Sequence, residues 1–262
     1  MIDTHCHILP GLDDGPANLD ESLDLARELV NQGVGAVAAT SHVSDQYPNT
    51  LEDIADGVEL VREALREHEI PLHVLPAAEM SANQVLARVH GDLSGFALGQ
   101  AYVLVEPPRV GGAAALPTLV AAIQGAGLRP VIAHPERASD ARDQLRTLEE
   151  LARAGVVFQV VASSLFATRR PDIQRTALAL LDGGIATCIA SDAHGQSYRP
   201  PFISDAWDLA ADRWGEPYAR WLLDDVPGAL LLGAQLPRRP ERATARRRGA
   251  RRFMTRKVRG AL

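Results

Sequence analysis

Cysteine is scarce in this 262-residue chain, which contains only Cys6 and Cys188. Two cysteines cannot build the disulfide framework of a small secreted domain. The sequence has no run of about 18 apolar residues, the length that a membrane-spanning helix requires. Its first residues also lack the basic and apolar regions of a signal peptide. Together these absences predict a cytoplasmic protein.

Three common catalytic motifs are also missing from the sequence. There is no Gly-x-Ser-x-Gly elbow of a serine hydrolase and no Gly-x-x-x-x-Gly-Lys phosphate loop. A cysteine phosphatase needs an arginine at the end of a short loop after its cysteine. Leu12 and His194 stand at the corresponding positions after Cys6 and Cys188. We therefore interpret both cysteines as small buried residues.

Charge is distributed unevenly along the chain, whose net charge is −6. From Pro237 onward there are ten Arg and one Lys against a single acidic residue, which leaves 16 basic and 32 acidic residues before that point. We predict two parts, a body of residues 1–236 and an Arg-rich tail of residues 237–262, disordered or forming one short basic helix. Because the body is acidic, we expect no nucleic-acid partner.

Short apolar segments alternate with helical patterns, which predicts βα units around parallel strands. The predicted strands cover residues 2–8, 35–40, 72–78, 102–105, 129–133, 156–161 and 186–191. The predicted helices cover residues 19–31, 51–67, 115–125, 141–154, 172–181 and 204–214. Asn18 is expected to cap the first helix, and Pro171 suits the first turn of another. Seven units favour a (β/α) barrel, and a doubly wound open sheet is the alternative.

Side chains that can bind metals follow six of the predicted strands. His5 and His7 end the first strand, and the alternation of side chains places both on one face. The other strand ends contribute His42, Glu79, Glu106, His134 with Glu136 and Arg137, and Asp192 with His194. In a βα barrel the carboxyl ends of the strands all meet at one mouth, where active sites are built.

A single histidine or glutamate after a strand is more often a surface or hydrogen-bonded residue than a metal ligand. Here, however, five of the eight histidines fall at strand ends, together with three carboxylates. Such a joint pattern is typical of a metal or catalytic site. Mixed imidazole and carboxylate ligands suit Mn, Fe or Zn and do not select among them. The residues therefore predict a site for several cations of undetermined number.

These motifs, in this order, resemble the bacterial tyrosine-protein phosphatases of capsule and exopolysaccharide operons, members of the polymerase and histidinol phosphatase (PHP) superfamily. The resemblance starts with Met-Ile-Asp-Thr-His-Cys-His-Ile-Leu-Pro-Gly-Leu-Asp-Asp-Gly at residues 1–15. It continues through the strand-end motifs to Tyr-Arg-Pro-Pro at residues 198–201. The Asp-Asp-Gly and Arg-Pro-Pro elements favour this branch over the histidinol phosphatases.

The resemblance implies an α/β fold, a distorted TIM-like (β/α)7 barrel with three divalent metals, commonly Mn²⁺, at the C-terminal strand ends. By position, the three ligand sets would be His5, His7, Glu79 and Asp192 for the first metal, Glu79, Glu106 and His134 for the second, and Asp14, His42 and His194 for the third. Arg137 and Arg199 match positions that face the substrate phosphate. With Asp192, they are the predicted catalytic residues.

The implied activity is hydrolysis of phosphotyrosine on a protein, with a polysaccharide co-polymerase tyrosine kinase as the expected substrate. Neighbouring cations can share a hydroxide that is nucleophilic at neutral pH and can hold the phosphoryl oxygens. Two alternatives stay open. One is a small-molecule phosphomonoesterase similar to histidinol phosphatase, and the other is a non-catalytic regulator that binds a kinase.

Some features depart from the family pattern. Val43 stands where many relatives carry a second histidine or a basic residue, and an asparagine is common near Val161. Both departures concern substrate preference more than metal binding. The Arg-rich tail is not part of the resemblance. It could bind an anionic membrane surface, an acidic partner or the acidic body of its own chain.

Overall fold

A computed structural model describes residues 1–108 and 110–242 of the chain. The predicted conformation of the Arg-rich tail therefore lies, from residue 243 onward, outside the described residues. Within the described part, no helix is long and apolar enough to cross a membrane.

Nine parallel strands form two sheets in the described part of the chain. They are β1 (Ile2–Cys6), β2 (Ala36–Ala39), β3 (His42–Val43), β4 (His73–Pro76), β5 (Glu79–Ser81), β6 (Tyr102–Glu106), β7 (Arg129–Ala133), β8 (Val157–Val161) and β9 (Cys188–Ala190). The first sheet has the order β1-β2-β4, and the second has the order β3-β5-β6-β7-β8-β9. Every pairing between these strands is parallel. The predicted α/β class with parallel strands is confirmed.

The helices alternate with these strands. They are α1 (Leu19–Asn31), α2 (Leu51–Glu67), α3 (Ala82–Arg88), α4 (Gly112–Gly125), α5 (Leu145–Arg153), α6 (Pro171–Asp182), α7 (Ile203–Trp214), α8 (Glu216–Arg220) and α9 (Val226–Leu231). The Asn18 side chain accepts a hydrogen bond from the Glu21 backbone N–H at 3.0 Å, so the predicted cap of α1 is present. Helix α6 begins at Pro171, as the sequence predicts.

Two of the predicted strands are each followed by a short strand that was not predicted. Segment 35–40 contains β2, which β3 follows, and segment 72–78 contains β4, which β5 follows. Between β4 and β5, the Ala77 N–H still donates to Ala39 O, whereas the Ala78 N–H donates to Phe96 O. The backbone therefore changes partners at this point. As a result, His42 and Glu79 stand opposite each other in the second sheet.

The helix prediction is wrong at residues 141–144, which precede α5 and form turns. The Asp140 carboxylate accepts hydrogen bonds from the backbone N–H groups of Ala113 and Ala114 at 3.2 and 3.0 Å. This carboxylate binds the exposed start of α4, where backbone N–H groups have no partner within the helix. A contact between distant segments thus fixes Asp140, the residue before this stretch, and local periodicity cannot reveal such a contact.

Hydrogen bonds join the first strand to the segment that follows the last strand. The Asp192 N–H donates to His5 O at 2.8 Å, and the His7 N–H donates to Ala193 O at 2.9 Å. Beneath the strand ends, the inner helix faces pack in one apolar core, for which α2 supplies Ile54, Val58, Val61 and Leu65. The core and these bonds hold the carboxyl ends of the strands close together.

Residues 237–242, the described start of the Arg-rich tail, lie against the body. The Trp221 indole donates to Pro237 O at 3.1 Å, and Arg239 donates to Gly184 O at 2.6 Å. Arg242 donates to the carbonyls of Leu181 and Asp182, both at 2.5 Å. These carbonyls end α6, where cationic side chains interact favourably with the helix dipole.

Candidate metal centre

The fold brings all nine predicted metal ligands together at the carboxyl ends of the strands. Three close groups of donor atoms form there, each within 4.8 Å, and they overlap. They are His5, His7, Glu79 and Asp192 in the first group, His7, Asp14, His42 and His194 in the second, and His42, Glu79 and Glu106 in the third. His134 lies against the first and third groups through Glu79.

Glu79 lies at the centre of this cluster. Its Oε2 is 3.1 Å from His42 Nδ1, 3.3 Å from His5 Nε2 and 3.4 Å from His7 Nε2. Its Oε1 is 2.8 Å from His134 Nε2. The side chain is 1% exposed, and among the described residues Oε2 has no hydrogen-bond partner. A buried carboxylate oxygen that faces several imidazoles without a hydrogen bond suits a cation held among them.

The observed groups and the predicted ligand sets agree in part. The first group has the same members as the predicted first set, and the second contains the predicted third set with His7 added. The predicted second set differs because His42, rather than His134, groups with Glu79 and Glu106. His134 Nε2 is 4.0 Å from Glu106 Oε1. The assignment of each ligand to a particular ion therefore stays a prediction.

Two residues outside the predicted ligand sets orient the first two histidines. Asp13 Oδ2 lies 2.7 Å from His7 Nδ1, and Gln159 Oε1 lies 2.8 Å from His5 Nδ1. With Nδ1 engaged behind each ring, Nε2 of both histidines faces the cluster. The sequence analysis did not assign this role. Its only signals were the Asp-Asp-Gly motif and a polar residue within the apolar strand β8.

A buried aspartate joins two of the strand ends that carry the first group. Asp3 Oδ1 accepts hydrogen bonds from the backbone N–H groups of His5 and Ser191 at 3.3 and 3.0 Å. Its Oδ2 accepts from the Ser191 hydroxyl at 2.5 Å. Burial raises the pKa of Asp3, and hydrogen bonds from Ser191 only partly oppose that rise. Asp3 therefore holds His5 beside Asp192.

Both predicted phosphate-facing arginines lie at the cluster and donate to Asp192. Arg137 donates through Nη1, and Arg199 donates through Nη2 at 2.8 Å to the same carboxylate oxygen. Arg199 Nη1 also lies 2.7 Å from His194 Nε2. Glu136 does not face solvent, because its side chain is buried and its Oε1 accepts the Val161 N–H at 3.0 Å.

Three of these residues have left-handed backbone conformations. His134, Asp192 and Arg199 have φ angles of 32°, 51° and 54°. Residues other than glycine rarely adopt this region, and such conformations cluster where surrounding structure fixes a functional geometry. All three are predicted site residues in the loops that follow β7 and β9. The backbone therefore directs their side chains into the cluster.

His7 and His194, whose rings stack with 3.9 Å between their centroids, have pKa shifts in opposite directions. Burial disfavours the charged form of His7, but Asp13 and Glu79 outweigh this effect and raise the pKa of His7 to about 10. Burial, with the cationic neighbours His7 and Arg199, lowers the pKa of His194 to about 3. Neutral imidazole is the form that binds a metal. Without a metal, His194 is therefore in the neutral form, whereas His7 would have to lose a proton before it could bind one.

An open cavity of about 500 Å³ lies over the cluster. Its lining includes the predicted ligands Glu79 and Glu106 together with Tyr47, Pro107 and Ile173. Five imidazoles and four carboxylates, beside an accessible cavity at the carboxyl ends of parallel strands, form a candidate metal-binding site.

The comparison with protein families is specific. Residues 1–232 match the family model "Capsular polysaccharide synthesis, CpsB/CapC". The chain belongs to the CpsB/CapC family, which confirms the resemblance seen in the sequence.

Named relatives cover nearly the whole chain. The tyrosine-protein phosphatase YwqE of Bacillus subtilis is 30% identical over 255 residues, which are 95% of this chain and 98% of YwqE. The tyrosine-protein phosphatase CpsB of Streptococcus pneumoniae is 28% identical over 239 residues, 88% of this chain and 98% of CpsB.

Solved structures agree with these sequence matches. A chain from the crystal structures of YwqE and CpsB, which are called unique metal-dependent tyrosine phosphatases, has a TM-score of 0.81 and 28% identity. The match covers 93% of this chain and 100% of that one. The lactonase Lmo2620 of Listeria monocytogenes, at 12% identity and a TM-score of 0.50 over 90% of this chain and 95% of its own, resembles it in fold alone.

Proposed function

We propose that this chain is a metal-dependent protein-tyrosine phosphatase, a phosphoric monoester hydrolase that acts in capsule or exopolysaccharide synthesis. The observation that carries the proposal is Glu79, a buried carboxylate that faces four imidazoles beneath an open cavity. Family membership and the names of the relatives give the activity its direction.

The proposed cofactor is a set of three divalent metals, Mn²⁺ by the family pattern, although Fe or Zn would fit the same donors. The ligands would be His5, His7, Asp14, His42, Glu79, Glu106, His134, Asp192 and His194. When bound, these ions would act as Lewis acids toward an attacking water and toward the phosphoryl oxygens. The buried Oε2 of Glu79, without a hydrogen-bond partner among the described residues, supports a bridging role.

The arginines would bind the phosphate of the substrate. Burial alone would lower the pKa of Arg137, but the nearby carboxylates of Asp192 and Glu136 raise it, so the guanidinium stays charged. A planar guanidinium matches two phosphoryl oxygens at once. Arg137 and Arg199 would keep their hydrogen bonds to Asp192 and donate their remaining N–H groups to the phosphate. Asp192 would thereby orient both arginines.

The proposed architecture is a distorted TIM-like (β/α)7 barrel formed by residues 1–236. Its support is the succession of β2 and β3, and of β4 and β5, each pair acting as one interrupted strand, so that nine strands make seven units. The bonds from the end of β1 to residues 192 and 193 favour closure. The Arg-rich tail, residues 237–262, would be a separate segment.

The proposed partner is a phosphotyrosine protein, a polysaccharide co-polymerase tyrosine kinase by family analogy. The proposed location is the cytoplasm, which the two buried free thiols of Cys6 and Cys188 favour. Contact of the tail with an anionic membrane surface would bring the enzyme near a membrane-bound kinase. Arg239 and Arg242 would not take part, because both bind the body.

The decisive test compares two substrates on the purified full chain loaded with Mn²⁺. We expect hydrolysis of a phosphotyrosine peptide to exceed that of histidinol phosphate, and EDTA to abolish it. His7→Ala should remove activity and reduce bound metal, measured by elemental analysis. His90→Ala, at an exposed histidine outside the cluster, is the matched control. Equal or greater activity on histidinol phosphate would instead favour the small-molecule alternative.

A further inference from the structure

Tyr47 forms an aromatic wall of the cavity beside a predicted metal ligand. Its ring lies nearly parallel to that of His42, with an interplanar angle of 9° and 5.7 Å between the centroids. Tyr47 is half-buried and lines the cavity together with His42 and Glu79. The stacking covers only part of the ring, so the remaining surface faces the cavity. Nothing in the metal-binding role of the cluster requires an aromatic residue here.

The turn that carries Tyr47 is held rigidly. The Tyr47 N–H donates to the Ser44 hydroxyl at 3.1 Å, and the Ser44 N–H donates to Tyr47 O at 2.9 Å. Gln84 of α3 donates to the Asp45 carboxylate at 2.6 Å, which ties the turn to a neighbouring helix. A ring placed in advance loses little conformational entropy when a ligand packs against it.

The depth of the cluster makes this wall relevant to substrate choice. His5 and His7 are fully buried, and Glu79 is 1% exposed. A long spacer between the phosphate and the peptide backbone would let the phosphate approach these buried residues. A phenyl ring supplies such a spacer, whereas the single methylene of phosphoserine does not. Pro107 and Ile173, also on the walls, offer further apolar surface to a ring.

We propose that Tyr47 is a specificity-determining residue whose ring packs against the aryl group of the substrate while the phosphate reaches the cluster. The inference rests on the proposed function and adds to it the reason for aryl selectivity.

The test measures binding, so that it does not depend on turnover. Phenylphosphonate and methylphosphonate are titrated by calorimetry into the Mn²⁺-loaded full chain, and the ratio of their Kd values gives the aryl preference. We expect Tyr47→Ala to lower this preference about three- to tenfold, the range for one aromatic pair. Tyr47→Phe keeps the ring and should keep the preference. Tyr198→Ala, at an exposed tyrosine outside the cavity lining, is the matched control.

Methylphosphonate, which has no aryl group, distinguishes contact of Tyr47 with the aryl group from positioning of His42 by Tyr47. If Tyr47 only held His42 in place, Tyr47→Ala would weaken both phosphonates equally and reduce bound Mn²⁺, and the inference would be overturned. An unchanged preference in Tyr47→Ala, or no aryl preference in the wild type, would overturn it as well. A preference that depends on Tyr47, in a protein unable to hydrolyse phosphotyrosine peptides, would support the inference and reject the proposed function.

Discussion

Two aspartates of this protein bind arginine side chains, at opposite ends of the fold and in different ways. Asp192 follows β9 at the cluster and its side chain is 1% exposed, whereas Asp182 ends α6 and its side chain is 41% exposed. Asp182 accepts hydrogen bonds from two nitrogens of Arg213, at 2.9 and 2.5 Å, and from the Trp214 indole at 3.0 Å. Asp192 receives one nitrogen from each of two arginines.

The two geometries leave different numbers of guanidinium N–H groups available for another anion. The guanidinium of Arg213 uses its fork on one carboxylate, and a bidentate pair of this kind is complete. Arg137 and Arg199 each use a single nitrogen on Asp192 and retain N–H groups for another anion. We therefore expect substitutions at Asp192, the inner aspartate, to affect activity and substitutions at Asp182, the outer aspartate, to affect stability.

The largest expected effect comes from the inner aspartate. Asp192→Asn removes a predicted metal ligand and the anchor of two arginines, so we expect kcat/KM on a phosphotyrosine peptide to fall by at least about 10²–10³-fold. Bound metal, measured by elemental analysis, should fall as well. Asp182→Asn serves as the matched control and should keep the wild-type rate. Full activity in Asp192→Asn would show that the enzyme does not need the carboxylate of Asp192.

A smaller effect is expected at Asp13, which contacts a predicted metal ligand. Asp13→Asn keeps the shape of the side chain that orients His7 but removes its charge, and changes of this kind weaken metal affinity about 10–100-fold. Competition with a chelator of known affinity would measure the change. Asp24→Asn, at an exposed aspartate paired with Arg27, should leave affinity unaltered. Identical affinities in both variants would mean that the Asp13 contact with His7 does not tune the site.

The smallest effect belongs to the outer aspartate. Asp182→Asn removes the charge from a partly exposed pair, so we expect a loss of only about 0.5–1 kcal/mol in the free energy of unfolding at pH 7. Urea denaturation of the wild type and the variant would measure it. A loss several times larger would show that the outer pair acts like a buried one.

The pKa of Asp182 predicts how the stability difference between wild type and Asp182→Asn depends on pH. Burial would raise the pKa of Asp182, but hydrogen bonds from Arg213 and Trp214 outweigh it and hold the pKa below its ordinary value of 3.8. A carboxylate with a depressed pKa stabilises the folded state above its unfolded pKa and loses this contribution as pH falls through the folded value. The stability difference between wild type and Asp182→Asn should therefore be constant near neutral pH and shrink below about pH 4. A difference that grew on acidification would reverse this sign.

The candidate site was largely predictable, and the residues missed share one property. Most predicted ligands end strands or lie in the loops that follow them, and His42 and Glu79 begin the short strands β3 and β5. At this edge, parallel strands bring distant segments together. Asp13 and Gln159 act through the rear nitrogen of a histidine. That role depends on side-chain direction, which strand periodicity does not determine. Asp13 and Asp14 are neighbours of the same type, yet Asp13 orients His7 while Asp14 approaches His42 and His194.

The sequence by itself determined the α/β class, the cap of α1, the start of α6 and the set of side chains able to bind cations. These features depend on local periodicity, capping chemistry and residue type. Only the tertiary structure decided that the short strands β3 and β5 follow β2 and β4, that Glu136 is buried, and that Tyr47 stacks on His42 at the cavity. Each of these depends on partners from distant segments, whose positions follow from packing of the whole chain.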